Sequence, residues 1–327
     1  MILKCLTLLA LCFVAGMPNA AQATSPTFNV TPIHPVSQTD TSLGYYDIRL
    51  ASGQSEVLEL ELMNGLDQER TFVIYANAAF TNMNGVIDYT PDHQEYDETL
   101  VLSFNDVVEK DSQEITIAAN ATEIVSVAIE MPSQSFDGII LGGITVEEAA
   151  MEETEDAANV FSYTIAVVIS QNDQVTVADM ALKGVYLDQR NRRTVIVADL
   201  QNPVPMILND IHVQASVFKD GAAQPLFYTE KSEMRMAPHS ILPFGIGTDD
   251  QHLQAGTYRV ELAVTANEED EWHFEGSFEV SQEQARQFND SAVDLADPPA
   301  NYMWIAIVAV ICCFVLSLAL ILTRRKK

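Results

Sequence analysis

The sequence predicts an all-β protein that carries one helix, at its C-terminus, and three observations support this prediction. Apolar and polar side chains alternate between residues 24 and 301. In residues 57–62, for example, leucines alternate with glutamates, as in a strand with one buried and one solvated face. Asn-Gly and Asp-Gly pairs, which are typical of tight turns, separate these segments. The uncharged run Met303–Leu322 is long enough, at about 1.5 Å per residue, to cross the hydrocarbon core of a membrane.

The alternating and apolar segments of the body predict short strands, and long helical periodicity is absent between them. These segments are residues 57–62, 71–75, 125–130, 139–146, 161–169, 194–200, 211–218 and 258–264. The turn signals are Asn64-Gly65, Asn84-Gly85, Asp137-Gly138, Asp220-Gly221 and Ala255-Gly256. Many short strands at this spacing are typical of immunoglobulin-like β-sandwiches, and the length of the body fits two such domains in tandem.

The domain organisation follows from these segments and from shifts in composition. It comprises a signal peptide (1–23), a first β-sandwich (24–158), a second β-sandwich (159–281), a stalk (282–301), a transmembrane helix (302–323) and a short tail (324–327). The acidic run 147–156 is either the interdomain linker or a hairpin loop within the first domain. The second interpretation would place the strand at 161–170 in the first domain, so the boundary is expected between 150 and 172.

The two apolar ends predict a single-pass membrane protein whose body is extracellular. Lys4, a short apolar core and the small residues Ala21 and Ala23 fit a secretory signal peptide that is cleaved before Thr24. Tyr302 and Trp304 occupy the position of an interfacial aromatic belt before the apolar run. The basic residues 324–327 place the C-terminus in the cytoplasm by the positive-inside rule.

The charge of the body excludes one large class of partner. Lys4 and the four terminal basic residues account for five of the 17 Lys and Arg residues, whereas all 46 acids lie between residues 24 and 301. A body this acidic repels a phosphate backbone, so the sequence predicts no nucleic-acid binding. The four cysteines, Cys5, Cys12, Cys312 and Cys313, all lie in the apolar ends, so no disulfide or thiolate metal site is expected in the body.

Catalytic and metal-binding motifs are missing from the sequence. No two of the six histidines have the spacing of a zinc-protease helix, and no nucleophile elbow, phosphate-binding loop or dinucleotide motif is present. The segment that contains Asn82, Asn84 and Gly85 resembles part of a calcium loop, but Phe80 stands where that loop needs its first aspartate. The Asn84-Gly85 pair is better interpreted as a hairpin turn. We therefore expect no catalytic residue, no metal and no cofactor.

Several short motifs keep their order along the whole body. The first half contains Phe28-Asn29-Val30-Thr31-Pro32, Tyr45-Tyr46-Asp47-Ile48, a spaced motif of Asn77, Ala79, Thr81, Asn82, Asn84, Gly85, Ile87 and Tyr89, then Ile140-Leu141-Gly142-Gly143-Ile144 and Tyr163-Thr164-Ile165-Ala166-Val167. The second half contains Leu200-Gln201-Asn202-Pro203, Met236-Ala237-Pro238-His239-Ser240, Ala255-Gly256-Thr257-Tyr258 and Trp272-His273-Phe274. In this order, the set resembles the WxL-interacting proteins of low-GC Gram-positive bacteria. His239 departs from the family pattern, in which an asparagine is expected.

The resemblance implies a function that residue spacing alone does not give. It implies a peptidoglycan-binding first domain, a host-binding second domain, and a role in holding secreted WxL-domain proteins at the cell surface. The implied partners are WxL-domain surface proteins, peptidoglycan and components of the host extracellular matrix. The chain has no Trp-x-Leu motif of its own, since Trp272 precedes His273-Phe274 and Trp304 precedes Ile305-Ala306. It would therefore be the anchored scaffold and not the displayed WxL protein.

Glycan contacts usually need aromatic and amide side chains, and the first domain offers five candidates for them. These are Tyr45, Tyr46, Asn77, Asn82 and Asn84. A structural role competes with this hypothesis, because strand alternation buries one of two adjacent tyrosines and asparagines stabilise turns.

Two alternative functions remain open from the sequence. The first is a tethered, chaperone-like assembly factor that acts by β-strand addition, since tandem immunoglobulin-like domains present edge strands. The second is a surface enzyme whose site the sequence does not reveal, because a triad assembled from distant residues has no local motif.

Overall fold

The structure is a computed structural model, and it describes residues 28–91, 93, 95–149, 161–293 and 295. The predicted signal peptide, transmembrane helix and cytoplasmic tail, and most of the acidic run 147–156, lie outside these residues. Within the part that is described, no helix has the length and apolar character needed to cross a membrane. The described residues form strands with one short helix, which confirms the prediction of a mainly β protein.

Two sheets form the first domain. Its strands are β1 (Phe28–Ile33), β2 (Tyr46–Arg49), β3 (Ser55–Asn64), β4 (Arg70–Ala78), β5 (Phe80–Thr81), β6 (Ile87–Asp88), β7 (Ser112–Ile117), β8 (Thr122–Glu130), β9 (Ile139–Glu148) and β10 (Ser162–Ser170). One sheet has the order β1-β3-β8 and the other the order β2-β10-β9-β4-β7, with β2 and β10 parallel. A separate hairpin, β5–β6, pairs with neither of these two sheets.

The core of the first domain lies between its two sheets. The leucines of β3 that were predicted to face inward, Leu58, Leu60 and Leu62, are fully buried, whereas Glu59 and Glu61 are exposed. Burial of each leucine contributes about 1.5–3 kcal/mol. Aromatic side chains from both sheets meet in the same core, where Phe28 lies 5.0 Å from Phe72 between ring centroids.

The strand β10 belongs to the first domain. It pairs antiparallel with β9 over its whole length and parallel with β2. A boundary at residue 158 therefore separates β10 from the sheet to which it is hydrogen-bonded, and the pairing places the end of the first domain at Ser170. Of the two interpretations left open by the sequence, the one that assigns the strand at 161–170 to the first domain agrees with this pairing.

The second domain consists of two sheets that enclose one core, and all of their strand pairs are antiparallel. Its strands are β11 (Ala181–Arg190), β12 (Arg193–Asn202), β13 (Leu208–Lys219), β14 (Phe227–Met236), β15 (Ser240–Gly247), β16 (Gly256–Ala266) and β17 (Asp270–Val280). The sheets have the orders β11-β12-β15 and β14-β13-β16-β17.

The first half of the predicted stalk is a helix that packs on the second domain. Helix α1 (Gln282–Ser291) begins with a capping box, in which Ser281 and Gln284 each bond the other's backbone N–H. Ala285 is buried in the second core. The side chain of Asn289 exchanges two hydrogen bonds with the backbone of Leu253, at 2.8 and 2.9 Å. Because Ala285 is buried in the second core and Asn289 bonds Leu253, the predicted stalk overlaps the folded domain up to residue 291.

Each domain contains a buried asparagine whose side chain bonds several backbone groups. Asn64 is fully buried, and its amide group donates to the carbonyl oxygens of Gln68, Ile117 and Ala118. Asn202 is also fully buried and donates to the carbonyl oxygens of Met206 and Ala237. Each side-chain oxygen accepts the backbone N–H two residues later. Buried backbone groups that the strands leave unpaired are satisfied in this way.

Candidate functional site

The β5–β6 hairpin projects from the first domain onto the second. Its turn is held by Asn82, whose side-chain oxygen accepts the backbone N–H groups of Asn84 and Val86 at 2.9 and 3.3 Å. Gly85 has a positive φ of 72°, which favours glycine. A Cβ atom at this position would lie 2.5 Å from the side chain of Met234, so the turn packs directly against β14.

A buried hydroxyl pair joins the hairpin to the turn between β14 and β15. The hydroxyl oxygens of Thr81 and Ser240 are 2.5 Å apart. Ser240 donates to the carbonyl of Ala237, and the N–H of Ala237 donates to Thr81 Oγ1 at 2.9 Å. The Thr81 hydroxyl must therefore donate to Ser240, so that this small network is fully satisfied although it is buried.

Further contacts fix the two domains together around this network. The N–H of Ile139 donates to the carbonyl of Pro205 at 2.9 Å, and the N–H of Arg235 donates to the carbonyl of Gly85 at 2.8 Å. A small apolar cluster fills the space between these bonds. It consists of Ala79, Leu141 and Ala237, with Ile87, Tyr89, Val168 and Ile207 packed on it.

Beside these contacts lies a cavity of about 340 Å³ that both domains line. The first domain contributes an aromatic wall, in which the rings of Phe80 and His93 stack with centroids 3.7 Å apart and Tyr96 packs edge-on against His93. The second domain contributes Tyr186 and Asp199, whose side chains are joined by a hydrogen bond of 3.2 Å. The remaining lining residues are Thr81, Glu95, Asp97, His239, Ser240, Ile241 and Pro243.

The acidic groups of the cavity differ in their environment. Burial raises the pKa of Asp199 above its ordinary value, although the Tyr186 hydrogen bond and the charge of Arg190 act in the opposite direction. Burial also acts to raise the pKa of Asp97, but hydrogen bonds from Thr99 and Gln201 outweigh it and hold this pKa below its ordinary value. The Gln201 amide reaches both oxygens of Asp97, at 2.9 and 2.8 Å, across the two domains.

We call the contact region between the two domains the junction. Within it, His239 is expected to make the stability of the protein depend on pH. Burial lowers its pKa below the ordinary value of 6.5, against the attraction of Asp97. The unfolded chain therefore binds this proton more readily, so the contribution of His239 to stability is present above pH 6.5 and is lost as the pH falls through the lowered pKa. We expect His239→Asn to make the unfolding free energy less dependent on pH between 7 and 5, and asparagine also suits the positive φ of 49°.

Thermal unfolding of the full-length protein in detergent at both pH values, for the wild type and the variant, checks this expectation. The two proteins are identical at every other position, so the difference between the two pH profiles isolates His239. Parallel profiles would show that His239 does not carry the effect.

The five predicted glycan-binding residues occupy different environments. Tyr46 is fully buried, its hydroxyl donates to the carbonyl of Glu59 at 2.5 Å, and burial raises its pKa. Asn77 is buried beneath Tyr89, to whose carbonyl it donates at 3.4 Å. Asn82 is half-buried and stabilises the hairpin turn, whereas Tyr45 and Asn84 have exposed side chains. The structure therefore does not gather the five residues into one surface, and strand alternation has buried one of the two tyrosines.

The residues that line the cavity were not recognised from the sequence. Phe80, Thr81 and Ser240 lie within or beside the ordered motifs quoted above, so those motifs do point to the junction. Tyr96 and Asp199 lie in no motif and are far apart in the chain, so no local signal identifies them. Within the described ranges, no group of three or more His, Cys, Asp or Glu side chains is arranged to hold a metal ion.

Fold and junction together define an all-β protein of two docked domains that share a cavity. Residues 28–148 match the family model described as the WxL-interacting protein peptidoglycan-binding domain, and residues 152–290 match the host-binding domain of the same family. The chain belongs to the WxL-interacting protein family, which confirms the resemblance inferred from its motifs. Both matched models describe binding domains. The host-binding model begins before β10, which the sheet pairing assigns to the first domain.

The solved structures that match the chain include fimbrial chaperones. A chaperone–tip adhesin complex of CFA/I fimbriae biogenesis matches with a TM-score of 0.32 and 11% identity, over 77% of this chain and 99% of that chain. The SafA pilin–SafB chaperone complex of Salmonella enterica matches with a TM-score of 0.27 and 12% identity, over 79% and 99%. The CupB2 chaperone of Pseudomonas aeruginosa gives 0.28 and 12%, over 70% and 97%. No curated protein matches the chain.

Proposed function

We propose that this protein is a membrane-anchored scaffold of the cell surface that holds WxL-domain proteins at the peptidoglycan layer and also binds host components. The observation that carries the proposal is that both binding-domain models match one chain, the peptidoglycan-binding model in its first half and the host-binding model in its second half. In this account the two domains are immunoglobulin-like sandwiches. A signal peptide (residues 1–23) exports them and a helix (residues 302–323) tethers them outside the membrane, with residues 324–327 in the cytoplasm.

Peptidoglycan contact is assigned to the first domain, which matches the peptidoglycan-binding model. Of the five candidate residues, Tyr45 and Asn84 have exposed side chains and are the ones available to a glycan. Tyr46, Asn77 and Asn82 are buried or half-buried and form hydrogen bonds within the protein.

The WxL-domain partner is expected to meet a strongly acidic surface. Residues 24–301 carry 12 basic side chains against 46 acidic ones. A basic partner would associate faster in such a field, and salt would remove this gain.

One observation favours the second candidate function, β-strand addition. Residues 175–178 connect β10 to β11 outside any strand, and their backbone makes no hydrogen bond in the described part of the chain. Val175 and Val177 alternate along this segment with 91% and 81% of their surfaces exposed. Alternating apolar side chains on an unpaired backbone are the features by which one strand adds to the sheet edge of another protein.

Binding of the full-length protein, in detergent, to purified peptidoglycan and to a co-secreted WxL-domain protein tests the proposal. We expect binding to both, and a titration with salt separates the two modes. Electrostatic steering predicts association that slows strongly with salt, whereas strand addition predicts weak salt dependence and loss of binding in a Val175→Asn, Val177→Asn variant.

Val36→Asn serves as the matched control, because Val36 is a fully exposed valine in the first domain, away from the connecting segment. Absence of binding to peptidoglycan and to the WxL-domain protein at every salt concentration would contradict the scaffold function.

A further inference from the structure

We propose that the cavity between the two domains binds a primary alkylammonium group, such as the free side-chain amine of the diamino acid in a peptidoglycan stem peptide. The inference deepens the proposed function and rests on it for the source of the amine. Its chemical basis is the combination of an aromatic wall with carboxylates in one cavity that both domains line.

The aromatic wall faces the cavity from the first domain. Phe80 lies on β5, and its ring stacks on His93 with an angle of 4° between the ring planes. Tyr96 stands at 80° to His93 with centroids 5.0 Å apart, so the rings form a corner and not a flat surface. Tyr186 faces them from the second domain. Aromatic rings attract cations through their electron-rich faces, and several rings around one space favour an alkylammonium ligand.

Apart from the histidines, the charged side chains that line the cavity among the described residues are all acidic. Glu95, Asp97 and Asp199 line it, and none of the described lining residues is lysine or arginine. These carboxylates would repel an anionic ligand. Since no group of three metal-binding side chains occurs in the described ranges, a metal ion does not explain the cluster either.

Asp199 is the lining carboxylate that can accept a further hydrogen bond from a ligand. The oxygens of Asp97 already accept hydrogen bonds from Thr99 and Gln201. Asp199, in contrast, accepts a single long bond of 3.2 Å from the Tyr186 hydroxyl among the residues described, which leaves its second oxygen without a donor. A half-buried carboxylate with spare acceptor capacity gains from an ammonium donor, because charge-assisted hydrogen bonds are stronger than neutral ones.

The size of the cavity agrees with this ligand. A volume of about 340 Å³ lies at the lower end of the range for small-molecule sites. This space accommodates one diamino acid side chain with its neighbouring peptide atoms, whereas a glycan strand would have to pass outside it.

Calorimetric titration of the full-length protein in detergent tests the inference with three probes. Nα-acetyl-lysine amide presents the amine, its Nε-acetylated analogue removes the charge, and a soluble N-acetylglucosamine oligomer represents the glycan strand. We expect the amine to bind saturably and the neutral analogue to bind roughly tenfold or more weakly, as expected for the loss of a charged hydrogen bond. The glycan oligomer should not compete with the amine.

Two variants and one control locate the site. Asp199→Asn and Tyr96→Leu are each expected to weaken amine binding, the first by roughly tenfold, while melting temperatures confirm that both proteins fold. Glu230→Gln removes a carboxylate from the outer face of the second domain and should leave amine binding unchanged. In the wild type, affinity should also fall as the pH drops through the pKa of Asp199.

Equal binding of the neutral analogue, an unchanged affinity in both variants, or no saturable binding of the amine would overturn the inference. These outcomes are distinguishable from failure of the proposed function, which is measured with whole peptidoglycan and a WxL-domain protein. If the chain binds those partners but not the amine, the scaffold stands and the cavity assignment is wrong.

Discussion

Asn202→Ala is expected to destabilise the second domain by about 3 kcal/mol or more, because it leaves several buried backbone groups without partners. The side chain is fully buried, and its amide donates to the carbonyl oxygens of Met206 and Ala237, each at 2.8 Å. Its oxygen accepts the N–H of Val204 at 3.2 Å. Alanine cannot replace any of these bonds, and the cavity that it leaves is too enclosed for ready hydration.

Chemical denaturation of the wild type and the variant in detergent measures this loss. Asn64→Ala removes the equivalent asparagine of the first domain and should cost a similar free energy in that domain. Asn29→Ala is the control, since Asn29 is exposed and its side chain bonds only Thr31 among the described residues, and it should change stability by less than about 0.5 kcal/mol. A loss below about 1 kcal/mol for Asn202→Ala would show that the buried network contributes little.

Gly138→Ala is expected to weaken the docking of the two domains by on the order of 3 kcal/mol. Gly138 has a positive φ of 78°, in which any other residue is strained. A Cβ atom would also lie 2.3 Å from the carbonyl oxygen of Pro205, which is a backbone atom and cannot rotate away. That carbonyl accepts the N–H of Ile139, so relief of the clash breaks a bond between the domains.

Gly221→Ala separates the two causes of this effect. Gly221 has a similar positive φ of 75°, but the position that a Cβ atom would occupy there is open. Alanine at Gly221 therefore incurs the backbone strain of about 1 kcal/mol without a clash. Denaturation curves should therefore show a larger loss for Gly138→Ala than for Gly221→Ala. Equal losses would mean that the Pro205 contact does not hold the domains together.

Strands whose side chains alternate strictly could be predicted from the sequence. The prediction for β3 and β8 is confirmed residue by residue, because each strand has one face in the core and one in solvent. Strand β14 gave no such signal, since its sequence FYTEKSEMRM is largely polar and six of its ten residues are exposed. Helix α1 was missed because its one fully buried residue, Ala285, contributes little to an apolar pattern.

The junction shows where sequence reasoning stops. The motifs that contain Thr81 and Ser240 were recognised separately, but nothing in either predicts that the two hydroxyls meet, because they are 159 residues apart in the chain. The asparagines of the first motif suggested a glycan surface, whereas Asn77 and Asn82 direct their hydrogen bonds into the protein. Side-chain type alone therefore does not separate a binding role from a structural one for these asparagines, whereas the fold shows the hydrogen bonds that they make.

A sedimentation assay measures whether one chain links WxL-domain proteins to peptidoglycan, as we propose. Purified cell walls are mixed with a WxL-domain protein, with and without the full-length chain in detergent, and pelleted. We expect the chain to sediment with the walls and to increase the amount of WxL-domain protein in the pellet until the chain saturates. A chain that stays in the supernatant, or that sediments without retaining more WxL-domain protein, would contradict the claim.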